Sequence, residues 1–125
     1  MRIKLIQRFN PLDRNQNPKY YAHMENEGVI DLYELANQVT KYSSLSTGDI
    51  LNVLENMVDA ASLFLLMGRG VQLGRLGMFR IILKSDGVDS PEMFNCNMIH
   101  RKKVHFTPSM QFKRQVESAS YEMMK

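Results

Sequence analysis

The chain is poor in two residues that often carry chemistry, with one cysteine and three histidines in 125 residues. A lone cysteine, Cys96, excludes an internal disulfide framework and fits a reducing cytoplasm. No apolar run reaches membrane-spanning length, so no membrane partner is expected. The opening Met1-Arg-Ile-Lys-Leu-Ile is charged, and its apolar run is far too short for a signal peptide. The histidines, His23, His100 and His105, are scattered, and no Ser/His/Asp set or carboxylate pair stands out. An enzyme with a small-molecule substrate is therefore not expected. Cys96, His100 and His105 are neighbours in sequence, but no C-x-x-C pair or fourth ligand accompanies them. Strand parity also sends the two histidines to opposite faces, so neither metal nor cofactor is expected. Four glycines crowd residues 68–77, yet they fit neither G-x-G-x-x-G nor G-x-x-x-x-G-K-[ST] and follow a helix pattern. They read as turn glycines.

Charge is present, and it is unevenly placed. Residues 1–68 hold six Lys and Arg against eight Asp and Glu, a balance of −2, whereas residues 69–125 hold ten against five, a balance of +5. Basic charge gathered in the half with the predicted strands suits a nucleic-acid surface, where phosphate neutralisation supplies most non-specific affinity.

Length points to one modest core. Residues 1–30 read as an appended β-hairpin: a strand over 4–9, a breaker stretch with Asn-Pro at 10–11 and 17–18, and an aromatic strand over 20–24 ending near Gly28. Residues 31–125 form the main domain. Asp31 caps a first helix with Glu34 three residues on, and Leu32, Leu35, Ala36 and Val39 make one apolar stripe. Ser46 caps a second helix over 46–67, with Asp49 at the third position. Its apolar positions, Ile50, Leu51, Leu54, Met57, Val58, Ala61, Leu65 and Leu66, cover more than one stripe, which predicts burial on two sides and homodimerisation. Gly68 and Gly70 should supply left-handed residues at its end. In the strands that follow, Phe79, Ile81, Leu83, Val104 and Phe106 point inward, while Arg80, Ile82, Lys84, Arg101, Lys103 and His105 point outward. Thr107 is expected to cap a third helix with Pro108 in its first turn and Phe112 and Val116 as anchors.

Val71-Gln-Leu-Gly-Arg-Leu-Gly-Met-Phe79 resembles the strand–turn–strand signature of the bacterial histone-like HU/IHF proteins, and Phe106-Thr-Pro-Ser resembles the Phe-x-Pro-Gly that opens their last helix. The resemblance spans roughly residues 31–116 and looks like that of the longer, extended HU-related proteins. It implies an α+β fold in which two chains interlock into a helical dimer body topped by a β-sheet saddle with β-arms. It further implies DNA condensation in the nucleoid, bending duplex DNA from its minor groove with little base readout. The corresponding positions that hold a basic residue are Arg80, Lys84, Arg101, Lys103 and Lys113. Arg69, Arg75, Lys102 and Arg114 are secondary candidates by proximity. The excursion Ser85-Asp-Gly-Val-Asp-Ser-Pro-Glu92 departs from the family's Arg-Asn-Pro tip, so Pro91 reads as a turn residue beside carboxylates and not as a wedge between base pairs. The expectation is a homodimer binding double-stranded DNA without strong sequence preference. The alternative keeps the HU scaffold as an interaction module and loses DNA, a reading favoured by outward Ile82 and the acidic tip.

Overall fold

The computed structural model describes residues 1–13 and 15–124, and it is mixed α+β. These residues form two compact units, residues 31–114 and residues 1–30 with 115–125.

In the larger unit, α1 (Leu32–Thr40) starts where the Asp31 carboxylate accepts the Glu34 N–H at 2.8 Å. Helix α2 (Thr47–Leu66) starts in the same way, with Ser46 Oγ accepting from Asp49 N–H at 3.1 Å. Each side chain satisfies a donor that the first helical turn leaves without a partner, worth about 1 kcal/mol. The two helices pack together, and Thr47 donates its hydroxyl to Asn37 Oδ1 at 2.7 Å across their junction. Ala36 and Ile50 are the buried residues of this contact.

Burial along α2 departs from expectation. Leu51, Leu54, Ala61 and Leu65 are half-buried, but Met57, Val58 and Leu66 are exposed, as are Val53, Leu63 and Phe64. The helix has the predicted apolar surface, and among the described residues its second side stays exposed. Gly68 (φ +83°) ends the helix, its N–H donating to Leu65 O while Arg69 N–H donates to Phe64 O. Gly70 is not left-handed; Gly74 (φ +52°) and Gly77 (φ +148°) are, and they shape the next turn.

Strand β3 (Val71–Gln72) pairs with β4 (Gly77–Ser85), which pairs with β5 (Ile99–Pro108), all antiparallel. The tight turn between β3 and β4 is closed by Leu73 N–H on Gly77 O at 2.8 Å. A Cβ at Gly77 would collide with the Thr107 carbonyl and come within 2.9 Å of Pro108 Cα, so only glycine lets the two strands approach here. Opposite one another at the helical end, Phe79 and Phe106 place their rings 4.7 Å apart. Beyond Lys84 a register shift ends the regular ladder, and the excursion continues through two short 3-10 turns, Pro91–Met93 and Cys96–Met98. Pro91 opens the first of them, a turn position in this fold.

The last helix is displaced from its expected start. Strand β5 continues through Thr107 and Pro108, and α3 (Met110–Glu117) is capped by Ser109, whose Oγ accepts the Phe112 N–H at 3.1 Å and donates to the Arg75 carbonyl. Ladder pairing of Met78 with Thr107 and Gly77 with Pro108 holds those residues in extended backbone, so the cap passes to the next hydroxyl. Val116, expected as an anchor, is half-exposed in the single chain.

In the smaller unit β1 (Arg2–Arg8) and β2 (Lys19–Met24) form an antiparallel hairpin. A third strand, β6 (Glu122–Met123), pairs parallel to β1 on its other side. Glu122 N–H donates to Met1 O at 2.9 Å and Met124 N–H to Ile3 O at 3.1 Å, and the Met1 amino group donates to Ser120 O. Two residues of pairing carry too little periodicity to be read from sequence.

Candidate nucleic-acid interface

Antiparallel partners point to the same face of a ladder, so the β4–β5 register decides which side chains share a surface. Arg80 lies opposite His105, Ile82 opposite Lys103, and Lys84 opposite Arg101. These six residues occupy one face and all are exposed. Phe79 with Phe106, Ile81 with Val104, and Leu83 with Lys102 occupy the other. There Phe79, Ile81 and Phe106 are half-buried, but Leu83 and Val104, expected to point inward, are exposed, because no described element packs over the outer part of this face. Four of the cations named from sequence are thus brought together, and Lys102 is separated from them. His105, placed on this face by strand parity but not named as a site residue, lies opposite Arg80 at one end of the basic face.

Two like-charged residues directly across a ladder repel one another unless an anion intervenes. Lys84 and Arg101 are such a pair, and among the described residues no carboxylate makes an ion pair with Arg80, Lys84, Arg101 or Lys103. The acids of the excursion lie beyond the ladder. Asp86 is held by His100, whose Nε2 lies 2.6 Å from its carboxylate, while Asp89 and Glu92 are exposed near the first 3-10 turn. Ile82 breaks the charged surface with a half-exposed apolar side chain, flanked by Arg80 and Lys84 on its own strand.

The remaining sequence candidates stand elsewhere. Arg69 follows the end of α2, Arg75 lies in the β3–β4 turn, and Lys113 and Arg114 are exposed on α3. Between α2 and the sheet an open apolar groove of about 220 Å³ is lined by Met57, Val58, Ala61, Leu65, Leu73 and Phe79. Among the described residues no three His, Cys, Asp or Glu side chains are grouped as metal ligands, and no helix is long and apolar enough to cross a membrane.

Two capped helices and a three-stranded antiparallel sheet whose β4–β5 ladder carries a basic face make a mixed α+β fold compatible with an HU-like module. The chain belongs to the HU-HIG family, described as an HU domain fused to a winged helix-turn-helix, Ig or glycine-rich motif, which matches residues 1–123. A crystal structure from Bacteroides vulgatus ATCC 8482, described as "a Putative bacterial DNA binding protein", has a similar fold, with a TM-score of 0.64 at 13% identity. That likeness covers 98% of this chain and 48% of the other, so this chain spans about half the length of that protein. No curated protein matches the chain.

Proposed function

We propose that this protein is an architectural, non-catalytic DNA-binding protein of the bacterial nucleoid. It acts as a homodimer that holds double-stranded DNA without strong sequence preference. The observation that carries this reading is the acid-free cluster of Arg80, Lys84, Arg101 and Lys103 on one face of the β4–β5 ladder. Side chains of this kind, held on a stiff ribbon, meet phosphates and carry no base information. Membership of an HU-related family supports the same reading.

The dimer rests on α2. Val53, Val58, Leu63 and Leu66 are each at least half exposed, and the groove lined by Met57, Val58 and Phe79 is open. Burying a fully exposed side chain of this kind is worth about 1.5–3 kcal/mol, so covering these partly exposed ones is worth roughly half as much each. A second copy seated on this helix gains several such increments. Half-exposed Ile82 on the basic face favours a second reading, in which the HU scaffold binds a protein instead of DNA.

Titration of random-sequence duplex at low salt tests the first reading. Eight ladder cations in a dimer set a ceiling on the log–log salt slope of roughly −0.9 per phosphate contacted, and about half of that ceiling is expected. Absence of a complex at about tens of micromolar protein would remove duplex binding, because non-specific affinities already fall in that range or tighter, and would leave the scaffold reading.

A further inference from the structure

The small unit carries its own ligand chemistry. In the β1–β2 register Arg8 lies opposite Lys19, Ile6 opposite Tyr21, and Lys4 opposite His23, so these residues share one face. At one end of the hairpin the cations are matched: Lys4 pairs with Glu25 at 3.4 Å and Arg2 with Glu27 at 3.5 Å. At the loop end they are not. Arg8 and Lys19 are cross-strand partners with no carboxylate partner among the described residues, and the Arg8 guanidinium reaches back along the hairpin to His23 Nε2 at 3.1 Å, a contact that brings no negative charge. Asp13, the acid of the intervening loop, accepts the Asn15 N–H at 3.0 Å and does not line the space beside the two cations.

That space is a cleft of about 410 Å³, within the roughly 300–1,000 Å³ usual for small ligands. Arg8 and Lys19 line it together with the aromatic residues Phe9 and Tyr21 and the amide residues Gln16 and Asn17. Each class of side chain has a separate use. Two cations without a carboxylate partner suit a phosphate, the rings offer flat faces to a base, and the amides carry donors and acceptors suited to a base edge. A bare anion or an acidic peptide would leave the rings unused. A duplex would keep its base faces stacked and out of their reach.

We propose that this cleft binds one nucleotide of a single-stranded nucleic acid, its phosphate held by Lys19 and by an Arg8 that turns from His23, and its base against Tyr21. The site is separate from the β4–β5 face, so it stands or falls independently of duplex binding.

The test is fluorescence anisotropy of the full chain with labelled oligo-dT of about fifteen nucleotides, a length that spans typical single-strand sites. Paired Arg8→Ala and Lys19→Ala substitutions should weaken oligo-dT binding at least roughly tenfold and leave duplex affinity within about twofold. Tyr21→Ala should cost about tenfold while Tyr21→Phe, which keeps the ring and the strand packing, should bind as the native chain does. Lys103→Glu should do the reverse, weakening duplex and sparing oligo-dT. The proposal fails if the native chain does not bind oligo-dT, if Tyr21→Ala binds as well as Tyr21→Phe, or if the loss follows Lys103 and not Arg8 with Lys19. Displacement of oligo-dT by polyglutamate of equal charge would also overturn it, since a protein-like acid would then suffice.

Discussion

The β4–β5 ladder and the β1–β2 ladder are both exposed antiparallel ribbons rich in cations, but those cations keep different company. In β1–β2 half of the basic side chains meet a glutamate at about ion-pair distance, and the two without a carboxylate partner among the described residues, Arg8 and Lys19, are the cross-strand pair next to the loop. In β4–β5 the acids stand beyond the ladder, so Arg80, Lys84, Arg101 and Lys103 share an uninterrupted positive face apart from Ile82. Counting charges would rank the two ribbons alike. Register separates them, because it decides which charge stands next to which, and exposed pairs contribute little to folding but much to what a surface can hold.

The largest expected effect removes one ribbon and leaves the other. Gly77→Val places carbon atoms where Thr107 and Pro108 already stand, and it should destabilise the larger unit by about 3 kcal/mol or more. Chemical denaturation followed by far-ultraviolet circular dichroism measures this. A variant as stable as the native chain would show that the close approach of β4 and β5 is dispensable.

Val58→Asp comes next. Its side chain is half-exposed in one chain, where a carboxylate would be almost neutral, but covered in the proposed dimer, where it should cost several kcal/mol. Sedimentation equilibrium at micromolar concentration should show twice the 14.5 kDa chain mass for the native protein and dissociation or unfolding for the variant. A native monomer would remove the dimer.

The faces of the β4–β5 ribbon can then be set against each other. Lys103→Glu should weaken duplex binding about tenfold for every sequence alike and flatten the salt dependence, since two charges change per chain. Lys102→Glu, on the opposite face, should have a much smaller effect. Equal effects from both would mean that register does not define the interface.

The smallest change concerns a single cap. Ser109→Ala should destabilise by about 1 kcal/mol, and Thr107→Ala by much less, as read from denaturation midpoints. The opposite ranking would return the cap to Thr107.

Much of this architecture was legible without coordinates because its signals are local. The caps Asp31 and Ser46, the apolar periods of α1 and α2, the left-handed Gly68 and the alternation along residues 79–84 each depend on a few neighbouring residues. So did the basic candidates, because strand parity alone separates Lys103 from Lys102. The HU-like signature at residues 71–79 is likewise a short-range pattern, and family membership over residues 1–123 agrees with it.

Tertiary structure decided what depends on distant partners. Thr107 and Ser109 are both competent caps by type, and only pairing with β4 extended the strand past the first and left the role to the second. The C-terminal β6 was invisible because two residues have no period, and its place beside β1 comes from backbone groups more than a hundred residues away in sequence. The Arg8–Lys19 pair required the register of a hairpin whose loop sets which residues face each other. Sequence by itself determined the main helices and strands, the caps of α1 and α2, and the sign of the surface. The fold determined which charges are neutralised and which are left for a ligand, because ion pairing acts over a few ångströms and those distances exist only once the chain has closed.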